Sequence, residues 1–150
     1  MNSVAEKTKT DALLEEFYKI TSMGVSSLTD IMNRVKDKTF REELTRQIDR
    51  YAKYTDQIGK LLYRDGKTPK EENMMTKLWA KIGMAMNTMN DSSTSHLAQM
   101  VIEGNTMGIT EGTRLMREYE NTSCSEEALG IARDVIRFLE DSVEKTKEYL

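Results

Sequence analysis

Apolar residues along this chain recur at alternating spacings of four and three. Leu14, Tyr18, Thr21, Val25, Leu28, Met32 and Val35 follow that rule with one threonine among them, and Leu44, Ile48, Tyr51, Thr55, Ile58 and Leu62 do the same. Near the end, Leu129, Ala132, Ile136, Leu139, Val143, Thr146 and Leu150 form a third seam. This is the period of a helix that buries one face, not the every-other-residue pattern of a strand. Capping-box sequences mark the boundaries. Thr39-Phe40-Arg41-Glu42, Thr68-Pro69-Lys70-Glu71 and Ser123-Cys124-Ser125-Glu126 each place a hydroxyl three residues before a carboxylate. Ser3-Val4-Ala5-Glu6 has the same form, Asn90-Asp91-Ser92-Ser93 is a run of cap and turn formers, and Asp65-Gly66-Lys67 is the clearest turn. Together they predict helical segments over 6–36, 39–64, 69–89, 92–120 and 124–149, within one domain spanning 1–150.

The first two segments are joined by a few residues, so they should fold back as an antiparallel hairpin. Facing positions across such a turn have residue numbers that add to a constant. Leu14 with Leu62, Tyr18 with Ile58, Thr21 with Thr55, Val25 with Tyr51, Leu28 with Ile48, and Met32 with Leu44 all give the same total. The two threonines thus share one layer halfway along the hairpin. That layer is either a small polar pocket or simple packing, because a buried threonine can bond its own helix carbonyl.

The segment 92–120 has an apolar arc wider than one seam, with Gly104, Gly108 and Gly112 inside it. Each helical glycine costs about 1 kcal/mol against alanine. The spacing therefore predicts either a close approach by a neighbouring element or a local break over 104–112. The last segment carries a second stripe, Ile131, Val135 and Phe138, which the intervening segment or a second subunit must cover. The short segment 69–89 has one apolar face, Met75, Leu78, Trp79, Ile82, Met86 and Met89. Trp79 is expected to pack against the bundle, with Trp79→Ala costing about 3–5 kcal/mol. Two hairpins joined by a long connection bearing a short helix make the ferritin-like plan, an all-α four-helix bundle with one crossover.

Composition narrows the chemistry. The 150 residues carry a net charge of -3, which disfavours nucleic-acid binding. One cysteine and one histidine exclude an internal disulfide and any site needing two of either. Neither a signal sequence nor a membrane-length apolar run is visible, so a cytoplasmic protein without a membrane partner is expected.

Tyr18–Gly24, Leu78-Trp79 and Leu97…Glu103-Gly104…Tyr119 resemble an uncharacterised group of small bacterial ferritin-like proteins. That resemblance implies the four-helix fold and carries no activity. Where that group has acidic residues after the glycine, this chain has Asn105 and Thr106.

Di-iron bundles of the broader class use Glu-x-x-His pairs. The nearest forms here are Glu43-Leu44-Thr45-Arg46 and Asp134-Val135-Ile136-Arg137, with arginine in place of histidine. Arginine carries a fixed positive charge and cannot ligate a cation. Glu15, Glu16, Asp49 and Asp56 lie well off their seams. No metal, cofactor or catalytic residue is therefore assigned. His96 reads as a surface residue, against a metal ligand with Glu103 or a general base. Cys124 lies in the last inter-helix turn, and the eleven methionines are core filling or an adaptable surface. The leading expectation is a non-catalytic interaction protein that self-associates as a homodimer through the last two segments, around Phe138. The alternatives are a small-ligand or apolar-cofactor binder and a divergent ferritin-like metal oxidase.

Overall fold

The computed structural model describes residues 4–63 and 91–150. Among the described residues there are four helices: α1 (Val4–Met32), α2 (Lys38–Tyr63), α3 (Thr94–Tyr119) and α4 (Glu126–Thr146), with a short 3-10 turn, Lys147–Tyr149, after the last. No strand occurs among the described residues, so the chain is an all-α bundle. The expected helix over 69–89, its cap at Thr68, the turn at Asp65, the Leu78-Trp79 pair and the Ser3 cap all lie outside the described residues.

Two helix starts differ from the sequence expectation in the same way. Asp37, not Thr39, caps α2: its Oδ1 accepts from the Phe40 N–H at 2.8 Å and from the Thr39 hydroxyl at 2.9 Å. These bonds hold the Asp37 carboxyl below its ordinary range, the Phe40 N–H contributing most. Ser125, not Ser123, caps α4, its Oγ accepting from the Ala128 N–H at 3.2 Å. The Ser125 N–H in turn donates to Thr10 Oγ1 of α1 at 2.9 Å, which fixes the turn where Ser125 stands. Ser93 caps α3 from within the expected run.

The α1–α2 hairpin has the expected register. Thr55 Oγ1 donates to Thr21 Oγ1 at 2.9 Å, and Thr21 Oγ1 in turn donates to the Phe17 carbonyl of its own helix at 3.1 Å. One turn on, the Tyr51 ring lies against Gly24. Arg41 closes the hairpin by donating to the Met32 and Val35 carbonyls at the end of α1, both at 3.0 Å.

Side-chain contacts also fix the other helix directions. A Cβ built on Gly112 would stand 3.4 Å from Phe17 and 3.0 Å from Ile136, and one on Gly108 would stand 3.7 Å from Ile20 and 3.0 Å from Leu139. Numbers rise along α3 as they fall along α1 and α4, so α3 is antiparallel to both. Since α2 is also antiparallel to α1, α2 and α3 run parallel, and Tyr63 and Thr94 stand at opposite ends of the bundle. The glycine-rich helix is continuous over 94–119. Its close approach is to side chains of α1 and α4, and it has no break.

Two sequence readings of the core need correction. First, α1 buries Leu13, Phe17, Ile20 and Ile31 as well as Leu14, Thr21 and Leu28. It carries two stripes because it touches α2 on one side and α3 and α4 on the other. Second, the off-seam stripe of the last helix is interior within the single chain. Val135 is 0% and Phe138 6% exposed, and the Phe138 ring meets Tyr51 edge-on at 4.9 Å and Tyr54 at 5.7 Å. Leu150, expected on the seam, is 61% exposed.

Candidate functional site

The registers bring four residues to one level in the middle of the bundle. Gly24 comes from α1, Tyr51 from α2, Asn105 from α3 and Ser142 from α4, and all four are buried. Gly24 has no side chain, so the Tyr51 ring occupies the space over it. The Tyr51 hydroxyl donates a short hydrogen bond to Asn105 Oδ1. Asn105 Nδ2 donates to Gln47 Oε1 at 3.2 Å, and Gln47 Nε2 donates to Thr146 Oγ1 at 3.0 Å and to Glu43 Oε2 at 2.8 Å. Thr146 Oγ1 passes the series to the Ser142 carbonyl at 2.7 Å. Every donor in this series finds an acceptor, as buried polar groups require. Among the described residues, Ser142 Oγ alone in this layer has no partner.

Burial pushes the Tyr51 phenol far above its ordinary range, so it stays protonated and donates. Glu43 is held at the rim of the network. Arg46 grips it through Nε at 3.2 Å and through a second nitrogen at 2.6 Å, and this carboxylate raises the guanidinium's pKa.

The donors of this layer do not match those of a two-metal centre. Such a centre draws on several carboxylates and imidazoles converging from four helices. Here the groups are two neutral amides, two hydroxyls and a phenol, and the Tyr51 ring fills the axis. Among the described residues the only carboxylate bonded to the network is Glu43, which already accepts three hydrogen bonds. Among the described residues no three His, Cys, Asp or Glu side chains converge in a way that could hold a metal ion.

The residues singled out in the sequence are scattered. The Thr21–Thr55 pair lies one turn from the Tyr51 layer, with Thr21 buried and Thr55 lining the open groove between α1 and α2. His96 is half-buried in the first turn of α3, and Glu103 is exposed two turns on. Glu16 bonds Lys19 at 3.4 Å, Asp56 pairs with Lys60 at 2.9 Å, and Asp49 is exposed. Cys124 is partly buried and its thiol is pushed up, chiefly by burial. A thiol in that state is a poor nucleophile. Gln47 and Ser142, which make the polar layer with Tyr51 and Asn105, gave no signal in the sequence. Both sit beside an apolar seam, where a polar residue reads as solvent-facing.

Among the described residues, open grooves lie on two sides of the bundle. One, of about 510 Å³, runs between α1 and α2 and includes Tyr18, Val25, Ala52, Gly59 and Tyr63. Burial and a hydrogen bond with Tyr63 raise the Tyr18 phenol above its ordinary range. The other, of about 600 Å³, lies between α2 and α4 and is lined by arginines, aspartates and two aromatic rings. No helix of the described residues is long and apolar enough to cross a membrane.

Comparison with protein families, curated proteins and solved structures finds no match.

Proposed function

We propose that this chain is a ferritin-like bundle without a di-metal centre, which acts non-catalytically through contacts with other molecules, including a second copy of itself. The observation that carries the reading is the Tyr51 layer. Its neutral amides and phenol, bonded to one another, stand where a metalloenzyme of this architecture would need free carboxylates and imidazoles. The parallel course of α2 and α3 supports the ferritin-like plan, in which the second and third long helices run in the same direction.

The burial of Phe138 removes the reason for placing self-association on α4. The partly apolar face that remains on the surface lies between α1 and α2, beside Tyr63, which is 56% exposed. Elemental analysis after growth in metal-supplemented medium should find well under one iron, manganese or zinc per chain. Sedimentation equilibrium at micromolar concentration should give about twice 17.2 kDa. Two metals per chain would overturn the first part of the reading, and a monomer at high concentration the second. A small-ligand binder is the second reading, favoured by the two open grooves, both within the ~300–1,000 Å³ range of ligand sites.

A further inference from the structure

We propose that the groove between α2 and α4 binds the phosphate group of a small phosphorylated molecule. This goes beyond the reading above and stands whether or not the chain self-associates.

The groove brings three guanidiniums together from two helices: Arg46 and Arg50, one turn apart on α2, and Arg137 on α4. Their counter-charges are incomplete. Among the described residues Arg50 has no carboxylate partner. It donates to the Tyr54 hydroxyl at 3.0 Å and lies over that ring at 5.3 Å. The nearest carboxylate to Arg137 is Asp134 at 3.9 Å, beyond hydrogen-bonding distance. Asp141, also on the groove, is paired with Lys145 at 3.3 Å. Arg50 and Arg137 therefore line the groove without a hydrogen-bonded carboxylate of their own among the described residues.

Two of the three arginines are also held in place before any ligand arrives. Arg50 is fixed by Tyr54. Arg46 is fixed by Glu43, and Glu43 is anchored through Gln47 to the buried layer. Side chains already ordered lose less entropy on binding. Arg46 spends Nε and one terminal nitrogen on Glu43 and keeps donors on the other.

The geometry selects the anion. A phosphate carries three or more acceptor oxygens in a tetrahedral arrangement, so one group can bridge guanidiniums that approach from two helices. A groove of about 600 Å³ is the size of a small-molecule site. Asp134, exposed at the edge, would accept from hydroxyl groups carried beside the phosphate.

The test is calorimetric titration of the whole protein with inorganic pyrophosphate, followed by competition with ribose 5-phosphate. Saturable binding with a Kd below about 1 mM is expected. Arg50→Gln and Arg137→Gln should each weaken it by about ten-fold or more. Arg133→Gln, an equal change of charge outside the groove, should leave it unaltered. All three positions are exposed, and circular dichroism would check that each variant is folded. Absent or non-saturable binding, or an equal loss in Arg133→Gln, would overturn the site. Failure of ribose 5-phosphate to displace pyrophosphate would overturn its assignment to a phosphorylated small molecule.

Discussion

Replacing Gly24 with alanine should destabilise the protein, although in a helix interior that change is ordinarily favourable. A Cβ at Gly24 would stand 2.5 Å from Tyr51 Cδ1 and 2.6 Å from its Cζ, distances that real Cβ atoms essentially never show. The ring cannot swing aside cheaply, because its hydroxyl is tied to Asn105 and its face meets the edge contact with Phe138. Overpacking of a tight core costs typically 1–3 kcal/mol, and the rigidity of this ring argues for about 3 kcal/mol. Alanine's better helix propensity returns about 1 kcal/mol. The net loss is about 2 kcal/mol, or roughly 4–8 °C in Tm for a chain of this size. Gly130→Ala is the matched control. It lies inside α4 with nothing within 4 Å of a built Cβ, so the same substitution should gain about 0.4–1 kcal/mol. Urea denaturation followed by helical circular dichroism would measure both. If Gly24→Ala matched the gain of Gly130→Ala, the account of a filled bundle centre would be wrong.

Other consequences can be measured on the same footing. Tyr51→Phe leaves Asn105 Oδ1 buried without its donor and should cost about 1–3 kcal/mol at neutral pH. Because the folded phenol is raised above its unfolded value, the unfolded chain releases that proton first, so stability should be full below about pH 10 and fall above it. Urea midpoints from pH 9 to 11.5 should fall less steeply in the phenylalanine variant, and parallel slopes would contradict this. Asp37→Ala removes the α2 cap and should lower the urea midpoint. The depressed pKa of Asp37 means that its contribution is present above the ordinary carboxylate range and lost as pH falls through the folded value, so the two midpoints should converge in acid. Phe138→Glu would bury a carboxylate between Tyr51 and Tyr54 and should unfold the chain at far lower urea, whatever its oligomeric state; an unchanged midpoint would show that Phe138 is not interior.

The fold was legible in the sequence where one seam met one partner. The α1–α2 register could be counted out because both helices present a single regular stripe to each other, and the Thr21–Thr55 contact fell where the count placed it. It was less legible where a helix has several neighbours. The second stripe of α1 and the Ile131, Val135 and Phe138 stripe of α4 look like surplus when each helix is allowed one face. Caps were misplaced by two residues at Asp37 and Ser125 because several hydroxyls and carboxylates compete within each turn. The deciding contacts, such as Thr10 with Ser125, come from distant parts of the chain. The polar layer was the least legible. Gln47, Asn105 and Ser142 are interior only because Tyr51 and Gly24 open and fill a space between four helices, and that depends on all the registers at once.

The layer also has a bearing on how quickly the chain folds and how long it stays folded. Each hairpin joins neighbouring stretches, so each can close early at a small entropic cost. The Tyr51–Asn105 and Gln47–Thr146 bonds instead join residues 54 and 99 positions apart, and they can form only once both hairpins exist and dock. Interactions made after the rate-limiting step govern the rate of unfolding and leave the rate of folding nearly untouched. Bonds that close after docking would act as a latch on the finished bundle, prolonging the lifetime of the docked hairpins without hastening their meeting.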